Sequence, residues 1–350
     1  MEWDVVIVGA GPSGCFTAQQ IASSGFKVLI IEEHEQIGEP VQCAGLISPR
    51  TVKLAEISQD LIINNLTSLR VFSPLGTKCL LNSSNVLAQA IDRGAFDREL
   101  AERAIKSGAE LLLGTKAKEV ERIAGGYRLT ATDKSKREFK ITTKLLIGAD
   151  GANSMVARWL NLTHDNPKAV MFAADVELQP FNTGCIDIFL GQDLAPGWFG
   201  WIIPLSPHIC RVGSGYAFIN SDRSPRHFFQ MLVDKYPHYF KGLKIIRQTG
   251  GVVPIGFMPK IYAPHAMLVG DAACQVKPIS GGGIYLGLRG ALICSQVAIK
   301  ALQEGNLTEK GLATYQENWE KEMGEEIAWG VAHRKCYLEW LYRNLQRGTK

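Results

Sequence analysis

The sequence predicts an α/β protein with a first domain on a parallel sheet, a second domain that is mostly antiparallel β-sheet, and closing C-terminal helices. Three observations carry this reading. The chain opens on Asp4-Val5-Val6-Ile7-Val8, a β-branched run typical of a strand buried on both faces, which passes straight into glycines and then into residues with helical spacing. From 166 to 257 the pattern changes to aromatic-rich strands interrupted by prolines. Ala266-Met267-Leu268-Val269 then returns to buried apolar character, and Gly287 through Ala301 is helical, so the first domain is assembled from discontinuous pieces.

Taken in order, Cys15 to Ala22 has helical spacing, Gly25 stops it, and Lys27-Val28-Leu29-Ile30-Ile31 is the next buried strand. This is a β-α-β unit within about thirty residues. Val86 to Ile91 leads into Asp92-Arg93-Gly94-Ala95-Phe96-Asp97, which opens a helix running to about Ser107. Leu111-Leu112-Leu113 reads as another buried strand. A meander follows over 118–123, 127–131 and 139–142, and strand Lys144 to Ile147 ends in Gly148-Ala149-Asp150-Gly151. A helix is expected near 225–235, and the last forty residues, with Trp319, Trp329, Tyr337, Trp340 and Tyr342, read as amphipathic helices. The expected division is 1–165 with 258–305 for the first domain, with 66–90 open to the second; 166–257 for the second; and 306–350 for the closing helices.

Composition narrows the function classes. At 350 residues, 46% apolar and 21% charged, the chain is an ordinary folded protein, and its formal net charge of +4 is too weak to suggest a nucleic-acid partner. The eight cysteines contain no C-x-x-C pair and the seven histidines no metal-ligand spacing, so no metal is expected. Scattered free cysteines suit a reducing compartment, and the first strand starts too early for a signal peptide. No apolar run reaches about 18 residues. The expectation is a cytoplasmic protein, with peripheral contact at a membrane surface left open.

The chemistry starts at Gly9-Ala10-Gly11-Pro12-Ser13-Gly14, a G-x-G-x-x-G turn between a buried strand and a helix. Such a turn lets the backbone approach a pyrophosphate, which then lies on the helix N-terminus. Glu32 closes the second strand about 20 residues on, where a carboxylate accepts from a ribose hydroxyl; Glu33 can substitute for it. The ligand at such a site is FAD or NAD. Two later turns favour the flavin. Gly148-Ala149-Asp150-Gly151 and Gly270-Asp271-Ala272-Ala273 each follow a buried strand, and Gly281-Gly282-Gly283 precedes a helix starting near Ile284. A carboxylate at a strand end can hold a ribityl hydroxyl, and bare glycine amides can meet phosphate or the flavin ring.

This set of motifs resembles the flavoprotein superfamily of p-hydroxybenzoate hydroxylase. Within it, Pro40-Val41-Gln42-Cys43-Ala44-Gly45 is similar to the P-V-Q-C-A-G signature of geranylgeranyl reductases, which saturate isoprenoid chains. Their second signature, P-x-x-Y-x-W-x-F-P, is matched by Pro196, Trp201 and Pro204, with Phe199 in place of its tyrosine and Ile203 in place of its phenylalanine. The likeness runs to about residue 305. It implies a Rossmann-type FAD-binding domain and a substrate domain of that superfamily's kind. It also implies that Cys43, Ala44, Gly45 and Arg93 meet the flavin. Cys43 would donate a proton or relay electrons, whereas a cysteine without such neighbours is usually a small core hydrophobe. Trp198, Phe199, Trp201 and Pro204 would line a path for a prenyl chain or belong to the core of the second domain.

The function expected is FAD-dependent reduction of an isoprenoid double bond, on a prenyl lipid or prenyl diphosphate. The electron donor is NAD(P)H or reduced ferredoxin, since only one dinucleotide fingerprint is present. The alternatives are a flavin monooxygenase acting on an aromatic or quinone, and a non-catalytic prenyl-binding carrier.

Overall fold

The computed structural model describes residues 2–217, 222–334 and 336 of the chain; Tyr337, Trp340 and Tyr342 lie outside them. The chain forms two compact units, Met1–Glu39 with Asp97–Asn166 and Pro254–Lys350, and Pro40–Phe96 with Pro167–Val253. The expectation gave the second unit only 66–90 of the early stretch and set 306–350 apart. The structure instead gives it all of 40–96 and keeps 306–334 with the first unit.

The first unit is built on a sheet in the order Tyr262–Ala263, Ala266–Leu268, Glu138–Gly148, Glu2–Val8, Val28–Ile31 and Glu110–Leu112. The pairs around Glu2–Val8 are parallel, with Val6 opposite Leu146 on one side and Leu29 on the other. Val5, Val6 and Ile7 are wholly buried, as a strand covered on both faces requires. Two expected strands, 139–142 and 144–147, are one strand, Glu138–Gly148. Its first part pairs antiparallel with Gly126–Thr132 and its last part parallel with Ala266–Leu268. Leu112 and Leu113 are exposed, because Glu110–Leu112 is an edge strand rather than a buried one. Helix Pro12–Ala22 packs against helix Ile284–Gln303. By length and mean hydropathy alone the latter would pass for a membrane-crossing helix, although Arg289 and Lys300 interrupt its apolar residues, and most of it is buried in the protein. Helix Glu309–Trp319 and a π-turn, Glu320–Gly324, continue into a helix through 334.

The second unit holds a seven-stranded sheet in which Lys168–Glu177, Ile209–Ala217, Gly200–Pro204 and Cys185–Phe189 pair antiparallel in succession. Ser68–Phe72 joins in parallel beside Cys185–Phe189, which is what draws 40–96 into this unit. Helix Pro225–Lys235 covers one face over a core that includes Phe72, Phe189, Ile202, Val212 and Leu232. Alternation along the strands puts Trp201, Arg211 and Gly213 on the other face.

Candidate active site

In the first unit the three fingerprint glycines do different work. Gly9 has φ +102°, and a Cβ there would lie 2.4 Å from the carbonyl oxygen of Ala149; one on Gly14 would lie 2.1 Å from that of Gly9. Both positions serve close backbone packing. Gly11 has no heavy atom within 4 Å of where its Cβ would stand. It is the N-cap of helix Pro12–Ala22, with no side chain capping it, and Pro12 at the first helical position brings no N–H. The free first-turn amides therefore face an open cradle that suits a phosphate. The Ser13 side chain is turned toward two further glycines: its Oγ lies 2.6 and 2.5 Å from where a Cβ on Gly270 or Gly287 would stand. Those glycines let the two long helices meet.

Glu32 faces the turn. Its Oε2 accepts from the Ala10 amide at 2.8 Å and its Oε1 from the His34 amide at 3.0 Å. Glu33 points elsewhere, onto Lys116 at 2.6 Å, and this hydrogen bond holds its carboxyl below the usual range. Glu33 thus faces away from the turn that Glu32 approaches, because successive residues leaving a strand diverge. Asp150 is engaged within its own turn. Its oxygens accept from Ser154 Oγ at 2.6 Å and from the amides of Met155 and Val156 at 2.7 and 3.1 Å. Burial pushes this carboxyl up, partly offset by those bonds, and together with the N-cap Ser154 it caps the first turn of helix Met155–Trp159.

The Gly270–Ala273 turn rests on residues that the sequence did not single out. The Gly270 amide donates to Gln275 Oε1 at 2.8 Å, Gln275 Nε2 donates to the Tyr315 hydroxyl at 2.9 Å, and that hydroxyl donates to the Leu268 carbonyl at 2.7 Å. A Cβ on Gly283 would stand 2.9 Å from Asp271 Oδ1, so glycine there lets the carboxylate sit at the start of helix Ile284–Gln303, whose Gly283 N-cap has no side-chain cap. Gly281, at φ +72°, turns the preceding loop, and around Gly282 the nearest atom is 3.4 Å from a Cβ position. Arg334 supports the loop from the closing helix by donating to the carbonyls of Pro278 and Ile279 at 2.7 and 3.0 Å. Nothing local in the sequence marks Gln275, Tyr315 or Arg334.

Cys43, Ala44, Gly45 and Arg93 belong to the second unit. The half-buried Cys43 sulfur accepts from the Gly45 amide at 3.3 Å. Gly45 has φ +61°, and a Cβ there would meet Arg211 Nη1 at 2.6 Å, the Ile91 carbonyl at 2.9 Å and Arg93 Cγ at 3.6 Å. Gly45→Ala is therefore expected to lower stability by about 1–3 kcal/mol, read as a drop in denaturation midpoint. Arg211 grips Asp175 at 2.6 and 3.1 Å and donates to the Ala44 carbonyl at 2.9 Å. Burial pushes the Asp175 carboxyl up, but the Arg211 hydrogen bond and the charges of Arg211 and Arg247 outweigh it and hold it below the usual range. The tie is therefore fully present above about pH 4 and is lost only as pH falls through the lower folded value. Acid titration followed by NMR of the Asp175 carboxyl should show its midpoint below the ordinary one.

Of the expected apolar wall, Trp198, Trp201 and Pro204 are buried and Phe199 is partly exposed. Trp198 and Phe199 stack at 4.9 Å. The Trp201 ring occupies the space above Gly213, 2.1 Å from where a Cβ would be, and among the described residues its indole N–H has no hydrogen-bond partner.

An uncapped glycine cradle, a carboxylate at the end of the second strand facing that turn and a second carboxylate beside a glycine-capped helix fit a flavin dinucleotide, and together with the fold they define an FAD-dependent oxidoreductase. Residues 2–197 match the family described as FAD binding domain. The chain is 34% identical over 338 residues to digeranylgeranylglycerophospholipid reductase 1 of Methanothermobacter thermautotrophicus, covering 93% of this chain and 84% of that one. It is 31% identical over 338 residues to the digeranylgeranylglycerophospholipid reductase of Methanothrix thermoacetophila, covering 94% and 85%. The chain belongs to the digeranylgeranylglycerophospholipid reductase family. Among solved structures, a geranylgeranyl bacteriochlorophyll reductase-like protein of Thermoplasma acidophilum superposes with a TM-score of 0.88 at 24% identity, covering 95% of this chain and 87% of that one. The p-nitrophenol 4-monooxygenase of Pseudomonas putida does so with 0.78 at 18% identity, covering 97% and 90%. At these identities the likeness is one of fold, and it is the p-hydroxybenzoate hydroxylase-like fold expected.

Proposed function

We propose that this oxidoreductase saturates double bonds of a geranylgeranyl chain carried on a glycerophospholipid, with Cys43 delivering the proton. The observation that carries the reading is the Pro40-Val41-Gln42-Cys43-Ala44-Gly45 loop, in a chain 34% identical to a protein named for that reaction. FAD, when bound and reduced, supplies a hydride to one alkene carbon. The chain does the rest. The turn from Gly9 to Gly14, Glu32, Asp271 and the stretch Gly281 to Ile284 bind the dinucleotide, with Ala44, Gly45 and Arg93 assigned to it as well. An isolated alkene is a poor hydride acceptor, so a proton must reach its other carbon in a dry setting. The Cys43 sulfur accepts the Gly45 N–H, which leaves its own S–H to be given outward. Phe199 and Trp201, backed by Trp198 and Pro204, offer flat apolar area for the prenyl chain.

The electron donor is NAD(P)H or reduced ferredoxin, taken up without a second dinucleotide fingerprint. Contact with a bilayer surface follows from a lipid substrate. The test is mass spectrometry of a geranylgeranyl lipid incubated anaerobically with the dithionite-reduced protein. Gain of two hydrogens per double bond is the expected result. Oxygen incorporation under air with no anaerobic product would point to a monooxygenase, and a purified protein without flavin absorption to a carrier.

A further inference from the structure

We infer that Arg211 is a positioning residue for Cys43, clamping the Pro40–Gly45 loop to the sheet so that the thiol is held in one place. This rests on the proposed role of Cys43 as proton donor. Arg211 lies on strand Ile209–Ala217, on the face opposite helix Pro225–Lys235, and is 3% exposed. A guanidinium so buried is costly unless its donors are matched, and a well-packed apolar pair would stabilise the sheet as well or better. Stability alone therefore does not account for a guanidinium at this position. What it adds is geometry. Its planar fork reaches both oxygens of Asp175, itself braced by Arg247 at 2.8 Å, while Nη1 donates to the Ala44 carbonyl. Ala44 stands between Cys43 and the Gly45 amide that donates to the sulfur. Gly45, without a Cβ, is what lets Arg211 come this close.

A second tether lies on the other side of the thiol: Thr249 Oγ1 donates to the Val41 carbonyl. The loop is thus pinned at Val41 and at Ala44, with Cys43 between. The charged groups tied to this loop are Arg211, through the Ala44 carbonyl, and behind it Asp175 and Arg247. Lysine cannot reproduce the arrangement, because an ammonium on a flexible stem lacks the rigid fork that serves a carboxylate and a carbonyl together.

The test uses full-length, flavin-loaded protein carrying Arg211→Lys, Cys43→Ala or both. Arg211→Lys should lower kcat by roughly 10–100-fold, the scale of a small misplacement of a reacting group, with KM for the lipid and flavin content unchanged. Alkylation of Cys43 by iodoacetamide, read by mass spectrometry, should accelerate as the loop loosens. In the Cys43→Ala background the same substitution should cost nothing further. Equal losses in both backgrounds, or unchanged kcat and alkylation in Arg211→Lys, would overturn the inference while leaving Cys43 in place. Full turnover by Cys43→Ala would instead remove the role of Cys43 and this inference with it. If Arg211→Lys does not fold, Thr249→Val removes only the other tether at nearly constant volume; the same kcat loss without a KM change is expected, and an unchanged kcat overturns the inference.

Discussion

Cys43→Ser is expected to abolish alkene reduction in a protein that still folds and still carries its flavin. Serine is nearly isosteric, and its hydroxyl can take the Gly45 amide that now reaches the sulfur at 3.3 Å, so the loop has no reason to rearrange. What changes is acidity. A thiol is a far stronger acid than an alcohol, and a proton donor in a transition state contributes about 10²–10⁴-fold to the rate. Loss of turnover on that scale, with an unchanged flavin spectrum and melting temperature, is the result the proposed chemistry requires. If the thiol only packs, the serine variant should keep its turnover per folded molecule. Single-turnover kinetics, flavin content and melting temperature on one preparation separate the two.

The features readable from sequence were those whose partners are close in the chain. A buried β-branched run, a glycine turn and a helix form one local unit, and Glu32 is fixed by the strand that follows, so its place beside the Ala10 amide follows from local spacing. The choice between Glu32 and Glu33 needed the direction of each side chain at the strand end, and there Lys116, far along the chain, decides it. Asp150 shows the same limit: its turn was legible, but the short helix that its carboxylate caps has too few residues for a periodic signal. The assignment of 40–96 to the second unit turns on a parallel pairing between Ser68–Phe72 and Cys185–Phe189, more than a hundred residues apart, for which alternation gives no register. Arg211, Gln275, Tyr315 and Arg334 matter through single long-range hydrogen bonds and carry no motif at all.

Gly11→Val should yield a folded protein that no longer holds flavin. The three glycines of the turn make this a sharp comparison, because they differ in what a side chain would meet. A Cβ on Gly9 or Gly14 would run into backbone oxygens 2.4 and 2.1 Å away, so substitutions there are expected to damage the fold itself. At Gly11 the conformation is ordinary for any residue, φ −71° and ψ 177°, and no heavy atom stands within 4 Å of a Cβ position. A valine fits the protein but fills the place where a pyrophosphate must approach the uncapped helix N-terminus. The melting temperature of the flavin-free protein should therefore match that of the flavin-stripped parent, while flavin absorbance after purification and on reconstitution is lost. Gly14→Val gives the contrasting case, with the fold destabilised whether or not FAD is present. A Gly11→Val protein that takes up FAD like the parent would mean that the dinucleotide does not lie against this turn.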